Sequence, residues 1–458
     1  MNARTRAMVC CVTVAFVGLA VTACSNQPKN ANVGLPISNA PPAQTSSSSA
    51  AKTFGDLPSP CGPGSARIAS GENGGSTLKL GTATDHGADS APGTNEEMLD
   101  AAVAFAKWCN AQGGIEGLKV EVEDIDGKLF QVPAAIEQAC SSVFAMVGGE
   151  WVFDEQQFPR FTQCKMVSFP AALLSAQAVG NADTVQAVPS VKTAAPYGGW
   201  EWAAKSHPQD VKRTAILYAD NPAIIIARNT VLQQLSYVGI TNVKQVSYSI
   251  NGEANWAPFA QELKDSGIEA LTFVGSPGNY ALLAKAMTEV GYKPNLILND
   301  ANFYTDLLLQ SGNVKNVEGM SARTVFVPFQ EAGGNKALQD YENMMSTYNS
   351  KGLKAQTGMQ ATSAFLLFAT AAKSCIATNG GVLERRCVLA AGKKVTSWTG
   401  GGLHAVTDPA SGLPSKCMAI LQIKGGKWTR EFPQLGSSDD SGKGYRCYDP
   451  GLMTVTGK

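Results

Sequence analysis

The chain has 458 residues, 44 % of them apolar, which is enough for two or three domains with ordinary packed cores. Lysine and arginine together number 37, as do aspartate and glutamate, and this balance argues against a nucleic-acid or polyanion partner. Only three histidines occur, His86, His207 and His404, so we predict no metal site, no cofactor and no histidine-based catalysis.

The N-terminus has the pattern of an export signal. Arg4 and Arg6 precede an apolar run over residues 8–23 that is too short to span a membrane. Small residues directly before Cys24 resemble the lipobox of bacterial lipoproteins, in which cleavage leaves the cysteine to be lipidated. We predict a signal peptide over residues 1–23, a lipid on Cys24 and a location on the extracytoplasmic face of the cell membrane. An ordinary secretory signal is the alternative.

The segment after Cys24 is rich in Asn, Pro, Ala, Ser and Gly up to residue 75 and lacks hydrophobic periodicity. This composition predicts a flexible tether over residues 24–75. Strand and helix patterns then alternate. Strands are predicted at 76–84, 118–122, 144–149 and 165–170, and helices at 94–113 and 133–143. For the first helix, Thr94 and Glu97 predict a capping box at the start, and Gly113-Gly114 predicts the end.

A second series of alternating elements follows. Strands are predicted at 213–220, 243–250, 269–276 and 296–300, with a crossing strand at 322–327. Helices are predicted at 223–238, 256–266, 279–290, 336–350 and 357–377, and a final hairpin spans 416–432 with its turn at Gly425-Gly426. Two such series predict an α/β protein with two parallel sheets flanked by helices. Ligands of such sheets bind beyond the carboxyl ends of the strands.

The cysteines support export. Beyond Cys24 the chain contains eight, and an even number in an exported protein indicates disulfides. The preferred pairs are Cys109–Cys140, Cys375–Cys387 and Cys417–Cys447, which leaves Cys61–Cys164 by elimination. The sequence does not fix this connectivity.

Four segments resemble the branched-chain amino-acid-binding family, the type I periplasmic solute receptors of ABC transporters. They are residues 94–117 (TNEEMLDAAVAFAKWCNAQGGIEG), 213–220, 269–291 and the strand ending at Asn299-Asp300, and the WTGGGL of 398–403 is similar to actinobacterial members. The resemblance covers residues 76–458. It implies two Rossmann-like lobes joined by three crossovers, a hinged cleft that binds a small molecule, and separate permease and ATPase subunits as partners. We expect a monomer.

The resemblance also suggests lobe boundaries. The N-terminal lobe is expected to contain residues 76–191 plus 330–403, and the C-terminal lobe residues 192–329 plus 404–458.

In the N-terminal lobe, the family binds the ligand through a loop after the third strand and a segment after the fourth. These correspond to residues 148–154 and 170–173, where this sequence lacks the serines and the threonine of amino-acid binders. The backbone N–H groups of Ala171 and Leu173 are expected to hold an anionic group at a helix start. Trp151 is expected at the cleft edge, stacked on the ligand, and the alternative is packing on its own loop.

In the C-terminal lobe, the resemblance points to Asp300, which follows the strand ending at Asn299. Its carboxylate is expected to hold an ammonium or hydroxyl group, and the alternative is a helix cap. Asp220 and Ser276 follow two other strands and are further candidates, and for Ser276 a simple turn role is the alternative.

The sequence therefore predicts a solute-binding lipoprotein of an ABC importer that is not an enzyme. Its ligand is expected to be bulkier or more apolar than a branched-chain amino acid. One alternative is a sensor that reports to a membrane partner. The other is a cell-surface hydrolase, for which His404 with Asp408 is the remaining candidate fragment.

Overall fold

The structure is a computed structural model, and it describes residues 52–91, 93–157 and 159–456. In chain order the strands are β1 (Thr53–Phe54), β2 (Leu57–Pro58), β3 (Arg67–Ile68), β4 (Thr77–Thr84), β5 (Lys119–Asp126), β6 (Ala145–Val147), β7 (Ser168–Phe169), β8 (Ala194–Pro196), β9 (Thr214–Ala219), β10 (Val243–Tyr248), β11 (Ala270–Val274), β12 (Leu296–Asn299), β13 (Met320–Thr324), β14 (Val382–Leu383), β15 (Cys417–Lys424), β16 (Lys427–Phe432), β17 (Arg446–Cys447) and β18 (Leu452–Thr454). The helices are α1 (Glu96–Asn110), α2 (Val132–Ser142), α3 (Arg160–Gln163), α4 (Gly198–Ser206), α5 (Pro222–Tyr237), α6 (Ala257–Asp265), α7 (Pro277–Glu289), α8 (Lys336–Tyr348), α9 (Gln356–Thr378) and α10 (Arg385–Gly392). The predicted signal peptide and Cys24 lie outside the described residues.

The N-terminal lobe is built on a parallel sheet with the strand order β5-β4-β6-β7. Leu78 and Leu80 point from β4 into the core shared with α1 and α9, where the rings of Phe105 and Phe365 lie 5.2 Å apart. The other face packs under α2 through Ile125 and neighbouring apolar side chains. β5 is half-exposed at the sheet edge, in keeping with its alternation of apolar and charged residues.

Helix α9 is the central helix of this lobe. It has 23 residues and is long and apolar enough to span a membrane. However, 72 % of its apolar window is buried inside the protein. Its apolar surface packs on α1 and α10, so its hydropathy is explained by its place in the core.

The C-terminal lobe contains a larger mixed sheet. Its strand order is β10-β9-β11-β12-β13-β15-β16, in which β10 to β13 run parallel and the β15–β16 hairpin is antiparallel. The hairpin turns at Gly425-Gly426 as predicted. The predicted crossing strand begins earlier than expected, because residues 320–324 belong to this sheet and only the residues after Thr324 leave it.

Three passages of the chain join the lobes and lie side by side. The Ala405 N–H donates to the Val325 carbonyl at 2.8 Å, and the Thr407 hydroxyl donates to the Ala187 carbonyl at 2.6 Å. Two lobes joined by three crossovers are therefore present. The residue boundaries that we assigned to the lobes stay a prediction.

Residues 52–75 do not form a tether, and this part of the prediction is wrong. Phe54 is fully buried, with its ring 5.6 Å from that of Trp108, and β3 pairs with β14. A disulfide also fixes Cys61 to Cys109 of α1. A composition rich in glycine and proline predicts a linker, but it carries no information on these long-range contacts.

The predicted capping box of α1 is also wrong. The N-cap is Asn95, with a φ of 64° and no side-chain cap, and the Thr94 hydroxyl donates to the Ala91 carbonyl instead. Glu97 accepts a 3.3 Å hydrogen bond from Thr305 of the other lobe. This tertiary contact has taken the side chain that the motif assigned to a local role.

Two of the four predicted disulfides are confirmed, Cys375–Cys387 and Cys417–Cys447. The other two predictions, Cys109–Cys140 and Cys61–Cys164, are wrong, because the structure pairs Cys61 with Cys109 and Cys140 with Cys164. Cys109 lies in the core on the α1 side of the sheet, whereas Cys140 packs against the cluster under α2. The sheet therefore separates the two cysteines that sequence spacing had joined.

Candidate functional site

The candidate site lies at the switch point of the N-terminal sheet, between the central strands β4 and β6. The chain leaves these strands toward opposite edges of the sheet, and ligands of parallel sheets bind where this happens. After β6 the chain turns through Gly148, whose φ is 75°. A Cβ atom on Gly149 would lie 2.2 Å from the Ala83 nitrogen, so only glycine allows the loop to cross β4 so closely.

Hydrogen bonds hold the loop after β6 in place. The Asp85 carboxylate accepts from the Val152 N–H and from the Leu129 N–H, each at 2.7 Å. The Glu150 N–H donates to the Ala83 carbonyl at 3.0 Å. The loop is therefore rigid, and Asp85 is the residue that joins it to the end of β4.

Trp151 lies inside the lobe. It is 2 % exposed, its ring centroid is 6.1 Å from that of Phe161, and its indole N–H donates to the Ile125 carbonyl at 2.8 Å. This is the packing role that the sequence analysis offered as the alternative to stacking on a ligand. The indole nevertheless forms one wall of a small cavity at the switch point.

Both apolar and polar residues surround the cavity. Besides Trp151, its apolar residues include Ala83, Met146, Val147, Pro170 and Leu173. The polar side chains around it are Glu150, Asp154, Gln157 and Ser168. Among the described residues, no lysine, arginine or histidine lines it. The cavity therefore has no cationic group with which to hold an anion.

The polar side chains of the cavity differ in their partners. The Asp154 carboxylate accepts from the Leu174 and Ser175 N–H groups at 2.7 and 2.9 Å, so both of its oxygens have donors. The Gln157 amide nitrogen is buried and has no hydrogen-bond partner in the described part of the chain. The Glu150 carboxyl likewise receives no hydrogen bond from any described residue.

Burial shifts the acidity of these carboxyl groups. It raises the pKa of Glu150 to about 8, with further contributions from the charges of Asp154 and Asp85. It also raises the pKa of Asp85 to about 6, although the Val152 and Leu129 N–H groups oppose the shift. This shift favours the protonated form of Glu150, whose carboxyl can both donate and accept a hydrogen bond.

The predicted anion site at Ala171 and Leu173 is wrong. No helix begins there in the described chain. The Ala171 N–H donates to the Gly149 carbonyl at 3.1 Å, and the Leu173 N–H donates to the Ser190 hydroxyl at 3.0 Å. Because both donors are used within the protein, neither is available to a carboxylate.

In the C-terminal lobe the switch point lies between β9 and β11, where Asp220 and Ser276 follow the strands. Asp220 is exposed and accepts from the Ile250 N–H at 2.8 Å. Ser276 is the N-cap of α7 and accepts from the Asn279 N–H at 3.3 Å. Ser276 thus caps a helix, and Asp220 holds the segment that follows the neighbouring strand β10.

Asp300 also has structural partners. Its carboxylate caps the 3-10 helix Ala301–Phe303 through the Ala301 N–H at 2.7 Å and binds Arg323 at 2.5 Å. The cap is the alternative predicted from sequence, whereas the contact with Arg323, on a neighbouring strand, was not predicted. Asp300, Arg323, Trp200 and Gln234 line a second cavity against α4 and α5.

Three half-exposed side chains near the end of β4 have the residue types of a metal site, which the sequence analysis did not predict. The ligand atoms of His86, Asp124 and Asp126 lie within 4.8 Å of one another. His86 Nε2 is 2.7 Å from Asp124. Burial lowers the pKa of His86 and Asp124 raises it, with a net increase, so an ion pair accounts for the cluster. The Asp-x-Asp spacing at a strand end was the available sequence signal.

His404 does not pair with Asp408, so the hydrolase fragment considered from sequence is absent. Its ring nitrogens lie 2.8 Å from the Ser363 hydroxyl and 2.7 Å from the Ala405 carbonyl. Asp408 instead accepts from the Ser411 N–H. His404 is 3 % exposed, so it has a structural role in the core.

Comparison with known proteins agrees with this architecture. The family model described as periplasmic binding protein matches residues 77–427. No curated protein matches the chain. Among solved structures, a fatty acid ABC transporter substrate-binding protein from Thermomonospora curvata is 16 % identical with a TM-score of 0.62, covering 81 % of this chain and 94 % of that one.

Two further solved structures share the fold. A leucine-binding protein from Thermotoga maritima is 16 % identical with a TM-score of 0.63, covering 78 % of this chain and 98 % of that one. A solute-binding protein of an ABC transporter from Rhodopseudomonas palustris, in complex with 3,4-dihydroxybenzoic acid, is 16 % identical with a TM-score of 0.64, covering 82 % and 99 %. The chain belongs to the periplasmic binding protein family, and its two lobes have the type I fold.

Proposed function

We propose that this protein is the extracytoplasmic solute receptor of an ABC importer. It captures a small molecule between its lobes and delivers it to a permease and an ATPase. The observation that carries the proposal is the pair of switch points, one in each lobe, within a fold of the periplasmic binding protein family. Hinged closure around a ligand is a common motion of such two-lobed proteins.

The ligand is bulkier or more apolar than a branched-chain amino acid. Two features of the cavity at the N-terminal switch point support such a ligand: several of its residues are apolar, and no cationic group lines it among the described residues. The relatives named above are described with a fatty acid, leucine and a dihydroxybenzoic acid, so the fold accommodates chemically different ligands.

In this proposal, Trp151 and Leu173 line the N-terminal half of the site, and Asp220, Ser276 and Asp300 belong to the C-terminal half. Ala171 follows Pro170 of the cavity lining, and its N–H group binds the Gly149 carbonyl and not the ligand.

A lipid on Cys24 holds the protein at the membrane as a monomer. The supporting observation is the run of small residues before Cys24, after a basic region and an apolar stretch. A sensor for the same ligand would use the same capture step, and co-purification with a permease would distinguish transport from sensing.

We propose no catalytic role. The Ser363–His404 pair is buried in the core and has no carboxylate partner among the described residues, so it lacks the third member and the access of a hydrolase triad.

A ligand screen on the chain from Ser25 onward tests the proposal. Fatty acids, aromatic acids, sugars and amino acids are added singly, and the thermal midpoint and the X-ray scattering are measured. A true ligand at a hundredfold excess over its Kd stabilises the protein by about 2.7 kcal/mol. It should also reduce the radius of gyration. If no compound changes either quantity, the solute-capture proposal is wrong.

Asp300→Ala is expected to weaken ligand binding about tenfold while the protein stays folded, because it removes a charged hydrogen-bonding group. Asp265→Ala, at an exposed position on α6, is the control and should bind as the wild type does. Unchanged affinity in Asp300→Ala would remove this residue from the site.

A further inference from the structure

The cavity at the N-terminal switch point is small. Its volume is about 10 Å³, which is enough for a single water molecule or one hydroxyl group. It cannot hold the body of a ligand, which must lie outside it, but it can receive one terminal polar group. The nature of that group follows from the side chains that surround the cavity.

Gln157 sets the first requirement. Its side chain is only 4 % exposed, and its amide nitrogen has no partner in the described chain. A buried donor without an acceptor is costly, and such groups in native proteins commonly point to a missing partner. The occupant of the cavity must therefore offer an acceptor to the Gln157 N–H. An ammonium group has no lone pair to offer and does not satisfy this requirement.

Glu150 and its surroundings set the second requirement. Glu150 lines the same cavity and no described residue donates to its carboxyl, while the nearby Asp85 and Asp154 carboxylates accept from backbone N–H groups. A carboxylate ligand would approach three carboxyl groups with no lysine, arginine or histidine in the lining to offset its charge. The occupant must therefore be uncharged and able to form a hydrogen bond with Glu150, whose protonated carboxyl can donate as well as accept.

A hydroxyl group meets both requirements, because it accepts one hydrogen bond and donates another. We propose that the ligand of this receptor carries an alcohol or phenol hydroxyl that enters the N-terminal cavity between Gln157 and Glu150. This inference rests on the proposed solute-binding function. It adds that this end of the ligand is uncharged, whereas the anion site predicted from sequence is closed by internal hydrogen bonds.

Three probes with one ring and different polar groups test the inference: cyclohexanol, cyclohexanecarboxylate and cyclohexylamine. Their binding is followed by nuclear magnetic resonance through the Gln157 side-chain amide signal, which is assigned by its loss in Gln157→Leu. Cyclohexanol should shift this signal with a Kd at least about tenfold lower than those of the charged probes. Equal or tighter binding of the carboxylate or the amine, or no binding by any probe at millimolar concentration, would overturn the inference.

Matched variants identify the residues responsible. In these variants binding is followed through the Trp151 indole N–H signal, because Trp151 lines the same cavity. Gln157→Leu should weaken cyclohexanol binding about tenfold, whereas Gln156→Leu, at the exposed neighbouring position of the same short helix, should leave it unchanged. Glu150→Leu removes the hydrogen-bonding group on the other side of the cavity and should weaken cyclohexanol binding about tenfold. An unchanged Kd in Gln157→Leu would overturn the inference. If that variant does not fold, the comparison of the three probes on the wild type remains decisive.

The two proposals fail in different ways. A ligand from the thermal screen that binds through a carboxylate, equally well in Gln157→Leu, would overturn the hydroxyl assignment and leave solute capture intact. The absence of any ligand and of any compaction would overturn solute capture itself.

Discussion

Among single residues, the carboxyl groups around the N-terminal switch point show how similar side chains acquire different roles. Asp85 and Asp154 each accept two backbone N–H groups and thereby fix loops around the switch point. Glu150 lacks such donors, so its environment favours the protonated form. The difference arises from neighbouring backbone groups that are distant in sequence, and the residue type alone does not reveal it.

Glu150→Gln is expected to make the protein more stable at alkaline pH. The pKa of Glu150 is raised to about 8 in the folded state from 4.5, so its contribution to stability is lost as the pH rises through this range. The glutamine variant cannot ionise. The free energy of unfolding of Glu150→Gln should therefore equal that of the wild type near pH 4.5 and exceed it by roughly 1–3 kcal/mol at pH 9.

Urea denaturation at pH 5, 7 and 9 measures this difference, with Glu155→Gln as the control in the same loop. If the free energies of unfolding of Glu150→Gln and the wild type changed with pH in the same way, the pKa of Glu150 would not be raised in the folded protein.

At the level of elements, the segment from β1 to β3 is fixed to the N-terminal lobe by contacts of several kinds. Phe54 packs on Trp108, β3 pairs with β14, and the Glu72 carboxylate accepts from the Arg385 N–H at 2.8 Å. The Cys61–Cys109 disulfide joins the segment covalently to α1. A stretch with little secondary structure thus covers one end of α1.

Replacing both Cys61 and Cys109 with serine should release this segment. The disulfide closes a loop with a sequence separation of 48, and its removal should lower the unfolding free energy by about 4 kcal/mol on the chain-entropy model. Limited proteolysis should then cut between residues 52 and 75 while the rest of the lobe resists.

The control is the Cys375→Ser, Cys387→Ser pair, which opens a loop with a separation of only 12 and should cost about 3 kcal/mol without exposing residues 52–75. Peptide mapping that found Cys109 linked to Cys140 would contradict the pairing itself.

For the whole molecule, the junction between the lobes depends on a buried chain of hydrogen bonds. The Trp398 N–H donates to the Ser363 hydroxyl at 2.9 Å, and Ser363 lies 2.8 Å from His404 Nε2. On the other side of the ring, His404 Nδ1 is 2.7 Å from the Ala405 carbonyl. With Nδ1 donating and Nε2 accepting, neutral His404 connects α9 to the crossover segments.

The stability of this junction should fall at acid pH. Burial lowers the pKa of His404 to about 4, although the Ala405 carbonyl opposes the shift, compared with 6.5 in the unfolded chain. The unfolded state therefore binds the proton more readily. The contribution of His404 is present above pH 6.5 and is lost as the pH falls through 4, by about 2–3 kcal/mol in total.

Urea denaturation between pH 7 and pH 4 tests this expectation. His404→Gln should be less stable than the wild type at pH 7, but its stability should depend less on pH over this range. His207→Gln, a change at the half-exposed position that follows α4, should leave the dependence of the unfolding free energy on pH as it is in the wild type. Equal slopes in His404→Gln and the wild type would contradict the assignment.

The sequence by itself determined the elements and the fold class. Hydrophobic periodicity predicted the principal strands and helices of both lobes, and two alternating series predicted two sheets, because periods of 2 and 3.6 are local properties of the chain. The predicted Cys375–Cys387 and Cys417–Cys447 pairs were correct, and each joins neighbouring elements.

Only the tertiary structure decided the chemistry of the site. Tertiary contacts gave Glu97 a partner in the other lobe, occupied the N–H groups of Ala171 and Leu173, and left the Gln157 amide without a partner. The physical reason is that hydrogen bonding, burial and acidity depend on groups brought together from distant parts of the chain. No local pattern records which groups those are.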